Sequence, residues 1–161
     1  MQLPGKITVL AENGIYLDGS EFKPDEAVLQ KDFLYLLSKT MYYYGPVISS
    51  ESTDDDIDEF YLYLIRQGIV KQEEKAPESN VTREKALIFI IRALNFERVA
   101  DLQNIFNCPF QDKDEIDASL TGYVTIAAGL GIVNSSSASF RPKDMLKRSE
   151  AAVMIYNYLQ S

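Results

Sequence analysis

Three observations predict an all-α fold of three tandem units, each a short helix, a loop and a longer helix. The first is recurrence. Gly-Ile occurs at Gly14-Ile15, Gly68-Ile69 and Gly131-Ile132, with a polar loop and a proline after each, at Pro24, Pro77 and Pro142. Four residues past each proline stands Val28, Val81 or Leu146, and an apolar run follows. The second is helical periodicity in those runs. The third is bulk: 161 residues, 46% of them apolar, can bury a sizeable core and do not read as disordered. A unit of this length cannot bury its apolar face alone, so the copies must pack on one another.

The elements follow in order. In the third copy Tyr123, Ile126, Ala127 and Leu130 recur at spacings of three and four, predicting a short helix near 119–130. Gly131 after it suits a left-handed C-terminal cap. The matching face in the second copy is Phe60, Tyr63 and Leu64, ending at Gly68. In the first it is Val9 and Leu10, ending at Gly14, which reads as a helix truncated by the chain start. The longer helices align as Phe33, Leu37 and Met41, then Ala86, Ile90 and Leu94, then Ala151, Ile155 and Leu159. Steps of four place each set on one buried stripe. The Gly-Ile pairs lie 68 − 14 = 54 and 131 − 68 = 63 residues apart, and the extra length falls in 95–111, where 99–106 is expected to form an additional helical turn. Tyr44-Gly45-Pro46 ends the first long helix, 49–58 is an acidic lead into the second unit, and 71–75 and 135–139 read as solvated loops.

The charge is −8 with a pI near 4.6, which disfavours nucleic acid and anionic membranes as partners. It leaves room for an anionic ligand gripped by a few local arginines. The absence of histidine removes the commonest general base and zinc ligand. Cys108 has no histidine to activate it and no second cysteine to pair with. No phosphate-binding glycine loop and no paired carboxylates in a catalytic frame stand out, so the chain is expected to be no enzyme and to need no cofactor or metal. The acidic run Asp54-Asp55-Asp56 lacks the alternating spacing of a calcium loop and reads as a solvated helix start. No segment is apolar enough to insert in a membrane.

Gly131-Ile132-Val133, Phe140-Arg141-Pro142 and Leu146-Lys147-Arg148-Ser149-Glu150-Ala151 together resemble a surface-layer homology (SLH) repeat. So do Phe110-Gln111-Asp112, the second copy's Gly68-Ile69-Val70 and Val81-Thr82-Arg83-Glu84-Lys85, and the first copy's Phe22-Lys23-Pro24. The resemblance implies repeats at 1–45 (truncated and degenerate), 46–98 and 99–161, forming one pseudo-threefold helical prism with grooves between lobes. It implies a surface-anchoring module of a bacterial cell wall, extracellular, cut from a longer exported protein and binding wall polysaccharide, often a pyruvylated one. Other surface proteins, or further domains of a longer parent chain, are additional expected partners. The ligand arginine of the family falls on Arg83 and Arg148, with Thr82, Glu150, Gly68 and Gly131 completing the expected site.

The physical chemistry of that element supports the expectation. A helix N-terminus offers free amides and a positive dipole end to an anion. An arginine there adds a planar fork for a carboxylate. Yet the Thr-x-x-Glu capping box of the family is incomplete in every copy: Thr82 faces Lys85, Lys147 precedes Glu150, and the first copy has Leu29 with Asp32. Gln30 replaces the arginine in the first copy, so at most two sites are expected. Gln72 and Ser135 replace a frequent family glycine. Arg83 and Arg148 have a second reading, as braces against acids such as Asp112 or Asp114. For sugar stacking, Tyr16, Tyr61 and Tyr123 near the Gly-Ile turns rank above Tyr42-Tyr43-Tyr44, with core packing the alternative for each; tryptophan is absent. The eroded motifs leave one rival function: a degenerate repeat module that serves as a helical protein-interaction or spacer domain without binding carbohydrate.

Overall fold

The computed structural model describes residues 1–17, 19 and 21–161. Its helices are α1 (Leu3–Glu12), α2 (Gln30–Thr40), α3 (Asp54–Arg66), α4 (Arg83–Ala93), α5 (Glu97–Ala100), α6 (Thr121–Gly129) and α7 (Arg148–Gln160). Short 3-10 turns at Gln72–Glu74, Lys113–Glu115 and Ala118–Leu120 fill the connections. No sheet forms among the described residues, and none of their helices is long and apolar enough to cross a membrane. The all-α expectation therefore holds. The short-then-long order does not hold in the middle of the chain, where α3 has 13 residues and α4 has 11. A full capping box lengthens α3: Thr53 accepts from the Asp56 amide at 3.2 Å, and the Asp56 carboxylate accepts from the Thr53 amide at 3.0 Å.

The three aliphatic positions after the prolines are drawn together. Val28, Val81 and Leu146 are buried, and their backbones hydrogen-bond in a closed cycle. The Val28 amide donates to the Leu146 carbonyl (2.9 Å), the Leu146 amide to Val81 (2.7 Å), and the Val81 amide to Val28 (3.2 Å). Isolated antiparallel bridges flank each step: Ala27 with Lys147, Leu29 with Asn80, Thr82 with Met145. Buried strips must satisfy their backbone groups, and three short ones do so here by pairing with each other.

The helices pack outward from this ring. Phe33 and Leu37, Ala86 and Ile90, and Ala151 and Ile155 are all fully buried, as the steps of four require. The last member of each stripe is less so: Met41 and Leu94 are half-buried and Leu159 is exposed, because each lies at a helix end. Leu130 is likewise exposed, at the C-cap of α6. The additional turn expected at 99–106 lies earlier, at Glu97–Ala100. Asn95 takes a left-handed φ of 60° and reverses the chain at the end of α4, so the next helix starts at once.

Gly131 has φ 75°, and a Cβ built there would meet nothing within 4 Å. Steric room is thus not the issue; backbone conformation is. Gly131→Ala is expected to cost about 1 kcal/mol, a fall of about 2–4 °C in Tm for a chain of this size, read by circular dichroism melting.

Candidate functional site: three seams between helix starts

The closed cycle brings each helix start against the loop of another copy. The first two amides of α4, on Arg83 and Glu84, donate to the carbonyls of Asp144 (3.0 Å) and Pro142 (3.1 Å). Those of α7, on Arg148 and Ser149, donate to Glu26 (2.9 Å) and Pro24 (3.0 Å). Those of α2, on Gln30 and Lys31, donate to Ser79 (2.8 Å) and Pro77 (3.2 Å). This corrects the expectation that free helix-start amides hold an anion: the leading two of each are already committed to protein. At these seams the arginines and lysines are the cationic groups left to face an anion.

The seam beside α4 is the best furnished. Arg83 is well buried, its side chain 13% exposed. Its Nε donates to the Phe140 carbonyl at 2.8 Å, and its guanidinium lies 5.3 Å from the centre of the Phe140 ring. One terminal nitrogen pairs with Glu150 Oε1 at 2.7 Å. Glu150 also accepts from the Lys147 amide (3.0 Å) and from Arg141 (2.6 Å). Arg141 holds a left-handed φ of 60°, and Asp112 clamps this loop by accepting from the amides of Phe140 (2.8 Å) and Arg141 (2.7 Å). A cleft of about 690 Å³ opens here, lined among others by Lys6, Arg83, Asn134, Ser135, Arg141 and Glu150, with Gly131 on its wall. Three cations and one carboxylate line it, while Asp144 pairs with Arg141 at 3.3 Å and Lys6 donates to Asn157 at 3.1 Å.

The seam beside α7 follows the same plan with fewer constraints. The Arg148 guanidinium lies 5.9 Å from the Phe22 ring centre, as Arg83 lies over Phe140. Its Nε is buried without a hydrogen-bond partner, and Arg148 forms no ion pair among the described residues. It shares a cleft of about 330 Å³ with Glu21, Asp32, Lys23, Ser49 and Ser50, two carboxylates against two cations. Burial raises the pKa of Asp32, against the pull of Lys31 and Arg148.

The seam beside α2 also borders a cleft, of about 300 Å³, but Gln30 there is tied up by its neighbours. Gln30 donates from Nε2 to the Glu74 carbonyl at 2.9 Å. Its Oε1 accepts from the Tyr61 hydroxyl (2.6 Å) and the Ala76 amide (2.8 Å). Glutamine here replaces ligand capacity with an internal brace.

The six expected site residues therefore divide. Arg83, Glu150 and Gly131 share one cleft, and Arg148 lines another. Thr82 and Gly68 line neither arginine cleft. Thr82 caps α4 through the Lys85 amide at 3.4 Å, and Gly68 serves a turn with φ 73°. The bracing reading of Arg83 is realised, but its ion-pair partner is Glu150, which the spacing alone did not pick out. Tyr61 and Tyr123 are core residues whose hydroxyls bond Gln30 and Asp101, whereas Tyr42 and Tyr44 are exposed. Sequence reasoning missed Lys6, Arg141 and the two phenylalanines as part of the seams. The Phe-x-Pro spacing, shared by Phe140-Arg141-Pro142 and Phe22-Lys23-Pro24, carried that signal.

Among the described residues, five carboxyl groups are held below the usual carboxylate range: Asp56 and Asp117, by hydrogen bonds from Thr53 and Ser119, and Glu150, Asp112 and Glu74. Burial works against their ionisation and is outweighed. The Lys147 amide with Arg83 and Arg141 lowers Glu150, the Phe140 and Arg141 amides lower Asp112, and Arg92 with the Lys71 amide lowers Glu74. A folded pKa below the unfolded one contributes stability above the unfolded value, about 4, that is lost as pH falls through the folded value. Asp32 has the opposite sign and opposes folding as it ionises. With five groups against one, urea unfolding at fixed ionic strength is expected to show stability falling steadily from pH 5 to pH 2.5.

Residues 109–152 match the model of the S-layer homology domain family, a span that takes in the Phe140 loop, Arg141, Arg148 and Glu150. Domains of this family are typically non-catalytic modules that anchor proteins to the cell wall, and the match points to the cell surface. The chain is 27% identical over 163 residues to the exoglucanase XynX of Acetivibrio thermocellus, covering 96% of this chain and 15% of that protein. It is 28% identical over 163 residues to the amylopullulanase of Thermoanaerobacterium thermosulfurigenes, covering 96% of this chain and 9% of that protein. The chain thus spans only a small part of the curated relatives it matches.

Proposed function

We propose that this chain is a non-catalytic anchoring module that binds an acidic, ketal-pyruvylated wall polysaccharide in the two arginine clefts, beside α4 and beside α7. The observation that carries this reading is the large cleft lined by Lys6, Arg83 and Arg141, with Glu150 the one carboxylate among its lining residues. A pyruvyl carboxylate held there exchanges water for charge-assisted hydrogen bonds of about 1.5–3 kcal/mol each. The same bonds on an open surface would contribute under about 1 kcal/mol. The low exposure of Arg83 places it in the first regime. Phe140 and Phe22 hold the guanidinium planes in register, so less freedom is lost on binding.

The repeats at 1–45, 46–98 and 99–161 form one domain in this reading, with the cyclic pairing of Val28, Val81 and Leu146 as the axis of a pseudo-threefold prism. Thr82 and Gly68 act through the backbone they fix rather than by touching sugar. The module belongs to a longer exported protein whose other domains carry any catalytic activity. A spacer or protein-interaction role is favoured only at the seam beside α2, where Gln30 spends its hydrogen-bonding capacity internally.

Sedimentation with purified bacterial walls tests the proposal. The protein is expected in the pellet with intact walls and in the supernatant once the wall polysaccharide is stripped or its pyruvate removed. Protein that stays in the supernatant with intact walls refutes anchoring by this chain.

A further inference from the structure

A cleft flanked by exposed aromatic side chains lies at the far end of α2. The helix closes at Met41, and the next residue, Tyr42, takes a left-handed φ of 58° before the Tyr43 amide bonds back to the Ser38 carbonyl at 3.1 Å. The end of α4 makes the same reversal with Asn95 at φ 60° and a 3.0 Å bond from Phe96 to Ile91. Asparagine tolerates that conformation and tyrosine does not, so Tyr42 is strained where a better residue was available. Its ring does not repay the strain by packing, since Tyr42 is 78% exposed and Tyr44 is 87% exposed.

Tyr43 between them turns inward. It stacks on Tyr63 (4.8 Å) and Phe60 (5.2 Å), and its hydroxyl occupies the space a Cβ on Gly45 would need. That hydroxyl is buried with no hydrogen-bond partner among the described residues. With Tyr43 fixed, its two neighbours are forced out to flank a cleft of about 460 Å³ floored by Leu62 and edged by Glu59, Arg66 and Gln67. The volume lies in the range of ligand sites. Glu59 and Arg66 cancel in charge, so an anion gains nothing here. Exposed aromatic faces beside a carboxylate, a guanidinium and an amide suit a sugar ring, which offers an apolar C–H face and a rim of hydroxyls. This cleft shares no lining residue with either arginine cleft.

We propose that the Tyr42–Tyr44 cleft binds an uncharged stretch of glycan by stacking, independently of the acidic-sugar clefts. The chain has no tryptophan, and four of its ten tyrosines, Tyr42, Tyr43, Tyr44 and Tyr63, line the cleft, so the part of any tyrosine quenching lost in the Tyr42 and Tyr44 variants reports on the site. The probes are cellohexaose, maltohexaose and wall polysaccharide freed of pyruvate by mild acid. At least one is expected to give saturable tyrosine quenching, retained in the Arg83→Ala, Arg148→Ala double variant. Tyr42→Gly and Tyr44→Ala are each expected to weaken that binding at least tenfold. Tyr42→Gly should leave Tm unchanged or higher, because glycine relieves the strained φ, and this separates a binding role from a structural one. The proposal is overturned if none of the three probes quenches, if both variants bind as the parent does, or if the tyrosines instead drive a concentration-dependent dimer that Tyr42→Gly abolishes.

Discussion

Replacing Arg83 and Arg148 together by alanine is expected to release the protein from bacterial walls, with affinity falling about 10–100-fold for each cleft engaged. The range follows from losing about 1.5–3 kcal/mol of charge-assisted bonding per site. The two positions are not equivalent probes. Arg83 braces Phe140 and Glu150 as well as facing the cleft, so its loss also loosens the seam. Glu150 keeps Arg141 as a partner and is not left bare. Arg148 has no ion pair among the described residues, so Arg148→Ala should leave Tm within about 2 °C of the parent while weakening wall binding. Arg148→Lys keeps the charge and removes the fork. It should restore little if a carboxylate is gripped by two bonds and most of the affinity if charge alone matters. Wall sedimentation at low and high salt, with circular dichroism to confirm folding, reads all of these. A double variant that binds walls as tightly as the parent would refute the assignment of the arginines to the ligand.

Much of the architecture was legible because it rests on periodicity. The stripes headed by Phe33, Ala86 and Ala151 are buried where steps of four put them, and Val28, Val81 and Leu146 are buried too, because a recurring aliphatic after a polar loop has little reason to exist outside a core. The clefts were legible only in part. An arginine at a helix start is visible in sequence; what the facing loop does to it is not. Neither the capture of the leading helix amides by Pro24, Pro77 and Pro142 nor the pairing of Arg83 with Glu150, 67 positions away (150 − 83 = 67), has a local signature. The same holds for 71–75, read as a solvated mixture of charges. Glu74 in that stretch is the bidentate partner of a buried arginine, because the chain folds the turn back onto α4.

That arginine is expected to carry a large stability effect of its own. Arg92 near the end of α4 is buried, with its side chain 4% exposed, and every arm of its guanidinium is occupied. One terminal nitrogen donates to Glu74 at 2.6 Å and to the Ile69 carbonyl at 3.1 Å. The other donates to Glu74 at 3.0 Å, and Nε donates to Glu97 at 2.9 Å. Four pieces of chain meet there: the Gly68-Ile69 turn, the 72–74 turn, α4 and α5. The carbonyl of Glu74 in turn accepts from Gln30, so the cluster reaches the seam beside α2. Substituting Arg92 by methionine keeps most of the side-chain volume but leaves Glu74 with only the Lys71 amide and Glu97 with only the Lys71 ammonium at 3.8 Å, each carboxylate about one-third exposed or less. Breaking a buried pair from one side costs about 3–5 kcal/mol, and partial access of water to Glu74 and Glu97 argues for the lower end. About 3 kcal/mol corresponds to a fall of about 6–12 °C in Tm. Arg92→Lys should recover little of this, because a single ammonium cannot reach Glu74, Glu97 and Ile69 in three directions. The cost should shrink at pH 3, where the two carboxylates take up protons and no longer need the arginine. A loss that stays the same at pH 7 and pH 3 would show that Arg92 acts by packing rather than by charge. A variant that melts with the parent at pH 7 would refute the cluster as a structural centre.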